Sequence, residues 1–407
     1  MPATPSAFET TPTFADLTTI RIGGPIDEFV RPETRDEVID TVRRADAQGT
    51  RLCIIGGGSN MLVSDAPFHG VVVRDMRDGI RVSRSAPGDS GDVIVEADAG
   101  ANWDDFVAWT VSEGYEGIEG LSGIPGSVGA SVVQNIGAYG QEVASSVLSV
   151  TAWDRQAGAI VEIGHDNLAF GYRFSALKAT MYETPEVQGT GEGRRETRWF
   201  PSPRYVVLAV TYRFRRSRQG TVGMGQLAKA LGVEKGTRMD LTDIRAAVLS
   251  IRATKDMLED PTRYANPWMA GTKREIPEAG EPNHNRWSCG SFFINPVVTA
   301  EHARRYLDGA PQYPGVLPDG TPGVKTSAAW LIDHAGFHKG FRLPGVAADS
   351  ADGAEPSSAG LSTVHTLALT NRGGATFDDV WRLASCIRRG VDDAYHIDLV
   401  PEPVVIR

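Results

Sequence analysis

Glycine recurs at every third position in Gly117-Ile-Glu-Gly120-Leu-Ser-Gly123-Ile-Pro-Gly126-Ser-Val-Gly129, and the run continues through Gln134-Asn135-Ile-Gly137-Ala-Tyr139-Gly140. Helix and strand interiors do not tolerate that density. A glycine backbone can approach a ligand closely and turn its N–H groups toward it, so the run reads as a peptide cradle for a phosphorylated cofactor. A second glycine loop, Ile55-Gly56-Gly57-Gly58-Ser59-Asn60, lies upstream. The triplet period stops after Gly129, which excludes a collagen-like strand. The three cysteines, Cys53, Cys289 and Cys386, lie far apart with no Cys-x-x-Cys spacing, so neither a disulfide framework nor a zinc site is indicated. No other metal constellation stands out. Cys289 lies two residues before Ser291, but no histidine is paired with it in the pattern, and a small buried cysteine is the simpler reading.

The elements that must position these loops can be read from caps and periodicity. Thr34 and Glu37 form a capping box ahead of Val38, Val42 and Ala45, with Gly49 as the stop. A strand at Leu52 to Ile55 then runs straight into the first glycine loop, and Gly70 to Arg74 reads as another strand. Beyond them come a strand at Val93 to Ala97, a helix from Asn102 to Glu113, the long glycine run, and strands at Val147 to Trp153 and Tyr205 to Phe214. Asp240 caps a helix whose Ile244, Val248 and Ile251 share one face, with Lys255 continuing that face. Thr376 and Asp379 start a helix with Val380, Leu383, Ile387 and Val391 as its core stripe, and Leu399 to Ile406 is extended. Glu186 to Thr197, Asp256 to Asn285 and Val346 to Gly360 read as solvated loops.

A chain of 407 residues predicts two or three domains. The formal charge of −10 argues against nucleic acid or an anionic membrane as the main partner. No apolar segment reaches the ~20 residues of a membrane helix, and Met1-Pro-Ala-Thr-Pro-Ser lacks the features of a signal peptide. The expectation is a cytoplasmic protein with small-molecule ligands and no obligatory protein partner.

Five blocks, taken in order, resemble the UDP-N-acetylenolpyruvoylglucosamine reductases, flavoenzymes of bacterial cell-wall synthesis. They are Thr19-Ile-Arg-Ile-Gly23-Gly24-Pro25, Gly56 to Asn60, Gly123 to Gly140, Gly171-Tyr172-Arg173-Phe-Ser175 and Gly290-Ser291-Phe-Phe-Ile-Asn295-Pro296, with Pro401-Glu402-Pro403 near the end. The resemblance implies an α+β chain: a two-part FAD-binding module of the PCMH type, made of two α/β subdomains, and a C-terminal α+β substrate domain. The implied boundaries are 1–74 with 394–407, then 75–216, then 217–393. It implies that NADPH gives a hydride to non-covalent FAD, and that reduced flavin passes it to UDP-N-acetylglucosamine enolpyruvate, giving UDP-N-acetylmuramate for peptidoglycan.

By the same resemblance FAD is held by Gly56, Gly57, Gly58, Ser59 and Asn60, and by Gly123, Ile124, Pro125, Gly126, Ser127, Gly129, Ala130, Asn135, Gly137, Ala138 and Tyr139. Arg173, Ser291 and Glu402 match the catalytic residues, and Tyr172, Lys255 and Asn295 the substrate-binding ones. The chemistry accounts for these types. Hydride addition to an enolpyruvyl carbon leaves charge delocalised into the carboxylate, which a guanidinium can pair bidentately. An ionised carboxylate beside that enolate is unfavourable, so Glu402 is either neutral or acts through Arg173. Serine is a very weak acid, and suits the proton-donor role because the acceptor is strongly basic and held close. Two departures from the family pattern are visible: Met224 stands where a lid tyrosine is usual, and the stretch between Lys255 and Ser291 is longer. Two other classes compete with this reading. A flavin oxidase of the same cofactor-binding fold would often tether flavin through a histidine in the first glycine loop, and none lies between Arg51 and Asn60. A nucleotide-sugar binding protein without catalysis would not need both glycine loops.

Overall fold

The computed structural model describes residues 11–83, 91–181, 202–278, 280–344 and 356–407. The first glycine loop grows out of a small parallel sheet. Its central strand, Phe68–Val73, lies between Ile26–Val30 and Arg51–Ile54. The helix Arg35–Ala47 covers this sheet with Val38, Val42 and Ala45 inward, and Thr34 and Glu37 close the expected capping box. At the far end of the chain Val404–Ile406 pairs in parallel with Met61–Val63, so the last residues return to the first loop.

The second glycine run sits on a larger antiparallel sheet ordered Ala159–Gly164, Val147–Asp154, Tyr205–Arg216, Asp92–Asp98, Ile80–Ser83, with Tyr115–Glu116 pairing the end of the long strand. Trp103, Phe106, Tyr212 and Phe214 fill the space beneath. The expectation that the glycine run excludes a helix fails at two places, a single 3-10 turn at Glu119–Leu121 and a longer α-helical one. Val128–Gln134 is helical, capped by Ser127, whose hydroxyl accepts from the Ala130 amide. Gly129 is there because a Cβ would stand 2.7 Å from the Ala99 Cβ, so the helix can lie flat on the sheet.

The helices that follow the large sheet pack in two separate places. The helices Gly225–Leu231 and Leu241–Ala253 pack around Tyr139 of the glycine run. The helices Ala328–His334 and Phe377–Tyr395 share a separate core with Phe292, Phe293 and, from the start of the chain, Ile20 and Ile22. Thr376 and Asp379 form the capping box of the last helix.

Three loop expectations meet different outcomes. Glu186 to Thr197 lies outside the described residues. Of Val346 to Gly360, the described end contributes to the strand Ala359–Leu361, which pairs with Leu369–Asn371. Asp256 to Asn285 divides: residues 275–278 and 280–283 are exposed as expected, but the part before them is not solvated, Tyr264 being 4% exposed and Met269 fully buried, in one core with Phe14 and Cys53. Its abundant polar residues mask two aromatic and sulfur anchors that decide its placement.

Candidate active site

The two glycine loops face each other across one cleft of about 470 Å³, a size suited to a small-molecule ligand. They also touch. A Cβ on Gly57 would lie 2.7 Å from the Gly126 Cα, so these positions require glycine for backbone-on-backbone contact. Ser59 ties the loops further, its hydroxyl donating to the Pro125 carbonyl at 2.9 Å. At Gly126, where φ is +146°, the nearest side-chain atom to an added Cβ is 4.0 Å away, so the backbone there opens onto the cleft. The N–H groups of Gly57, Gly58, Ser59, Asn60, Gly126 and Ser127 meet no acceptor among the described residues. Backbone donors in a cleft wall are rarely left unpaired, and a row of them makes a nest for phosphate oxygens.

Most of the expected cofactor residues line this cleft: Gly56 to Asn60, Ile124 to Ser127, Gly129, Ala130 and Gly137 to Tyr139. Gly123 and Asn135 do not. Gly123 is a pivot, its N–H donating to Asp104 at 2.6 Å and its carbonyl accepting from Arg252 Nε at 3.1 Å. Asn135 takes the left-handed conformation that ends the helix, and its amide donates to Gly171 O at 2.8 Å and to Glu142 Oε2 at 3.2 Å. Both hold the loop in place.

The catalytic candidates all line this cleft although they come from three distant segments. Arg173 sits on a tight bend, with Gly171 and Phe174 exchanging backbone bonds and Arg173 itself at φ +56°. A non-glycine residue in that region costs on the order of 1 kcal/mol or more, so the bend must be held. Ser175 holds it, donating to the Val133 carbonyl at 2.7 Å and capping the short helix Ala176–Ala179. Ser291 and Glu402 are brought together by strand-like pairing: the Glu402 amide donates to Phe292 O at 2.9 Å and the Ile294 amide to Val400 O at 3.0 Å. Asn60 donates to the Glu402 carbonyl at 3.5 Å, fastening this corner to the first glycine loop.

Arg173 Nη2 donates to Gly137 O at 2.9 Å, and its Nε lies 3.0 Å from Glu402 Oε1. That second contact is an ion pair without hydrogen-bond alignment. Glu402 Oε1 also accepts from Gln134 Nε2 at 3.2 Å, and Gln134 Oε1 in turn accepts from Lys178 Nζ at 2.7 Å. Burial pushes the Lys178 ammonium down to about 8, against the pull of Glu402 and with the push of Arg173. Sequence reasoning passed over Lys178 and Gln134. The signals were positional: Gln134 lies inside the Gly123 to Gly140 block, and Lys178 stands five residues beyond Arg173, just past the end of its block.

Lys255 lines the cleft with its ammonium 3.2 Å from Gln226 Oε1. It does not continue the preceding helix, which stops at Ala253 with Thr254 as its cap. Tyr172 and Asn295 stand outside the cleft wall. Tyr172 is 39% exposed, and the Lys325 ammonium lies 4.9 Å from its ring centroid. Asn295 accepts the Ala328 amide at 2.9 Å. Met224 lines the cleft and is 41% exposed. Burial raises the Cys289 thiol, whose Sγ donates to Met61 O at 2.9 Å, so this cysteine is inert.

Among the described residues no helix is long and apolar enough to cross a membrane. Residues 26–164 match the model of an FAD binding domain, and residues 281–406 that of the C-terminal domain of UDP-N-acetylenolpyruvoylglucosamine reductase. The chain is 40% identical to the UDP-N-acetylenolpyruvoylglucosamine reductase of Cutibacterium acnes, over 96% of this chain and 88% of that protein. It is 39% identical to the one from Thermobifida fusca, over 96% of both. A crystal structure of the Thermus caldophilus enzyme of that name has the same fold at a TM-score of 0.53 and 21% identity, over 97% of this chain and 98% of that one. Identity of that extent, on top of a glycine cleft with the five blocks around it, places the chain in the UDP-N-acetylenolpyruvoylglucosamine reductase family, with a PCMH-type FAD-binding module ahead of its C-terminal domain.

Proposed function

We propose that the protein is an NADPH-dependent reductase that converts UDP-N-acetylglucosamine enolpyruvate to UDP-N-acetylmuramate, a cytoplasmic step of peptidoglycan precursor synthesis. The observation that carries this reading is that Arg173, Glu402 and Ser291 all line one glycine cleft, with Arg173 and Glu402 paired. The cleft fits FAD: its unpaired backbone donors at Gly57 to Asn60 and at Gly126 and Ser127 suit a diphosphate, and its apolar residues Ile124, Pro125 and Ala138 suit flat rings. FAD, when bound, supplies hydride transfer between NADPH and the substrate alkene.

The chain's own residues bind, orient and protonate. Arg173 Nη1 meets no acceptor among the described residues, while Nη2 and Nε are occupied by Gly137 and Glu402. The free edge can pair with the substrate carboxylate, where charge grows as the alkene accepts hydride. Glu402, shared between Arg173 and Gln134, is placed to hold that guanidinium in position, which favours its acting through Arg173. Ser291 Oγ donates the proton to the adjacent carbon, turning the alkene and one hydride into a saturated lactyl ether. Lys255 and Gln226 supply a cation and an amide for the sugar nucleotide's diphosphate. Tyr172 and Asn295, outside the cleft wall, then meet the outer part of the substrate.

The test is anaerobic mixing of NADPH-reduced holoprotein with the enolpyruvyl sugar. The expected result is return of the flavin absorbance band faster than with oxygenated buffer, with UDP-N-acetylmuramate found by mass spectrometry. Faster recovery with oxygen and no sugar product would favour an oxidase instead.

A further inference from the structure

The long stretch between Lys255 and Ser291 is not an ornament on the substrate side of the molecule. It runs along the cofactor cleft, with Glu259, Asp260 and Arg263 in its lining, and is bonded to both of its walls. On the first wall, Arg263 Nη2 donates to Leu17 O at 2.8 Å and to Gly57 O at 3.1 Å. Arg74 returns bonds to Met269 O at 3.0 Å and Ala270 O at 2.8 Å. On the second wall, Thr272 Oγ1 and the Lys273 amide both donate to Asp105 Oδ2, at 3.0 and 2.8 Å. Arg274 pairs with Asp104, Asp105 and Glu259, and the Glu259 side chain is fully buried. Asn102, which caps the helix behind the second loop, donates to the Tyr264 hydroxyl at 2.6 Å.

These bonds reach the cradle itself. A trans peptide points its carbonyl and the following N–H in opposite directions. Anchoring the Gly57 carbonyl on Arg263 therefore fixes the Gly58 N–H away from the strap, among the donors that meet no acceptor. On the other wall Asp104, held by Arg274 and Arg245, accepts the Gly123 N–H at 2.6 Å and fixes the pivot of the second loop. Arg263 is 7% exposed, and its Nη1 is buried without a partner among the described residues. A buried guanidinium is costly unless its donors are paired, and two carbonyls offset that cost only in part.

We propose that residues 260–274 are a strap that sets the spacing and peptide orientation of the two glycine loops, with Arg263 and Arg274 as positioning residues for FAD affinity. Asp260 and Arg263 of the strap also border the cleft, and the proposal rests on the FAD assignment above. The test is FAD dissociation from the full-length protein, measured by recovery of free-flavin fluorescence and by titration of the apoprotein. Arg263→Met should raise the Kd at least tenfold, the size of one lost charge-assisted hydrogen bond. The double variant Glu259→Gln/Arg274→Gln removes both charges together, so the Glu259 carboxylate is not left buried without its partner, and should raise the Kd similarly; it decides the matter if Arg263→Met fails to fold. Lys273→Ala, whose ammonium pairs with Asp78 at the surface, should leave the Kd within threefold. At saturating FAD the KM for the enolpyruvyl sugar should stay within threefold in all variants, and the melting temperature of the apoprotein should fall less than that of the holoprotein. An unchanged Kd in the folded variants, or an equal loss in Lys273→Ala, would overturn the strap. Failure of the parent protein to bind FAD would instead overturn the cofactor assignment.

Discussion

The cradle and the chemical corner are built by opposite means. The cradle is backbone: two glycine loops, each continuous in sequence, pressed together at Gly57 and Gly126 so that N–H groups line the cleft. The corner is side chains: Arg173, Ser291 and Glu402 from three segments, joined by pairing of residues 292–294 with 400–402 and by the Arg173 bend. A backbone nest binds any phosphate of the right shape and is broken by added bulk. A side-chain corner performs one reaction and is broken by loss of a single group.

The sharpest contrast is expected from Arg173→Met. Removing the cation that faces the growing negative charge should slow sugar-dependent reoxidation by about 10²- to 10³-fold. FAD content should stay at the parent level, because Arg173 meets the cradle only through Gly137 O. Rapid-mixing absorbance and flavin-to-protein ratio check the two halves of that statement, and loss of flavin would erase the distinction between the regions.

Gly57→Ala should do the reverse. Its Cβ would meet backbone at 2.7 Å, so the loops must separate, with a stability loss of about 1–3 kcal/mol and a Kd for FAD raised about tenfold. Once saturated with FAD the variant should reduce the sugar within a few-fold of the parent rate. Chemical denaturation and flavin titration measure both.

These two regions were unequally legible. The glycine spacing, the capping boxes at Thr34 and Thr376 and the strand before Gly56 can be read directly, because each depends on neighbours in the chain. Part of the glycine signal had a different cause, however. Gly129 serves helix-on-sheet packing and Gly123 is a structural pivot, and composition cannot separate close contact with protein from close contact with ligand. The corner could be read only through the family resemblance, since nothing local announces that residues 173, 291 and 402 converge. Lys178 and Gln134 escaped for the same reason. The strap was misread as solvated because Tyr264 and Met269 are too sparse to form a periodic pattern, and its buried ion pairs look from sequence like surface charge.

A smaller effect should come from the Lys178 relay. The ammonium holds the carbonyl end of the Gln134 amide, leaving the amide NH₂ for Glu402. With the lysine pushed down to about 8, sugar-dependent reoxidation should fall several-fold as pH rises through 8. Glu402 and Arg173 are the charged groups facing it. Lys178→Met should be slower at pH 7 and lack that alkaline limb. The stability sign also follows: below pH 8 the native state keeps a buried charge, and between 8 and the ordinary 10.5 it has lost a proton that the unfolded chain still holds. The parent should therefore gain stability relative to Lys178→Met across that window, as denaturant titrations at several pH values would show.

The smallest effect is expected at Met224, on the rim of the cleft. Met224→Tyr should fold normally, given its exposure of 41%, and lower the sugar's KM by no more than a few-fold. A large stability loss would place Met224 in the packing of the helices around Tyr139 rather than at the cleft mouth.

Ser291→Ala tests the division of labour most directly. The variant loses one hydroxyl from the corner and nothing from the cradle. Reduction of bound FAD by NADPH, followed by stopped-flow absorbance, should remain within a few-fold of the parent, with unchanged flavin content. Reoxidation by the enolpyruvyl sugar should slow by about 10²- to 10⁴-fold, the usual contribution of a positioned general acid. Equal slowing of both half-reactions would contradict the proposal, because Ser291 would then be positioning the flavin and the corner would have no separate chemistry of its own.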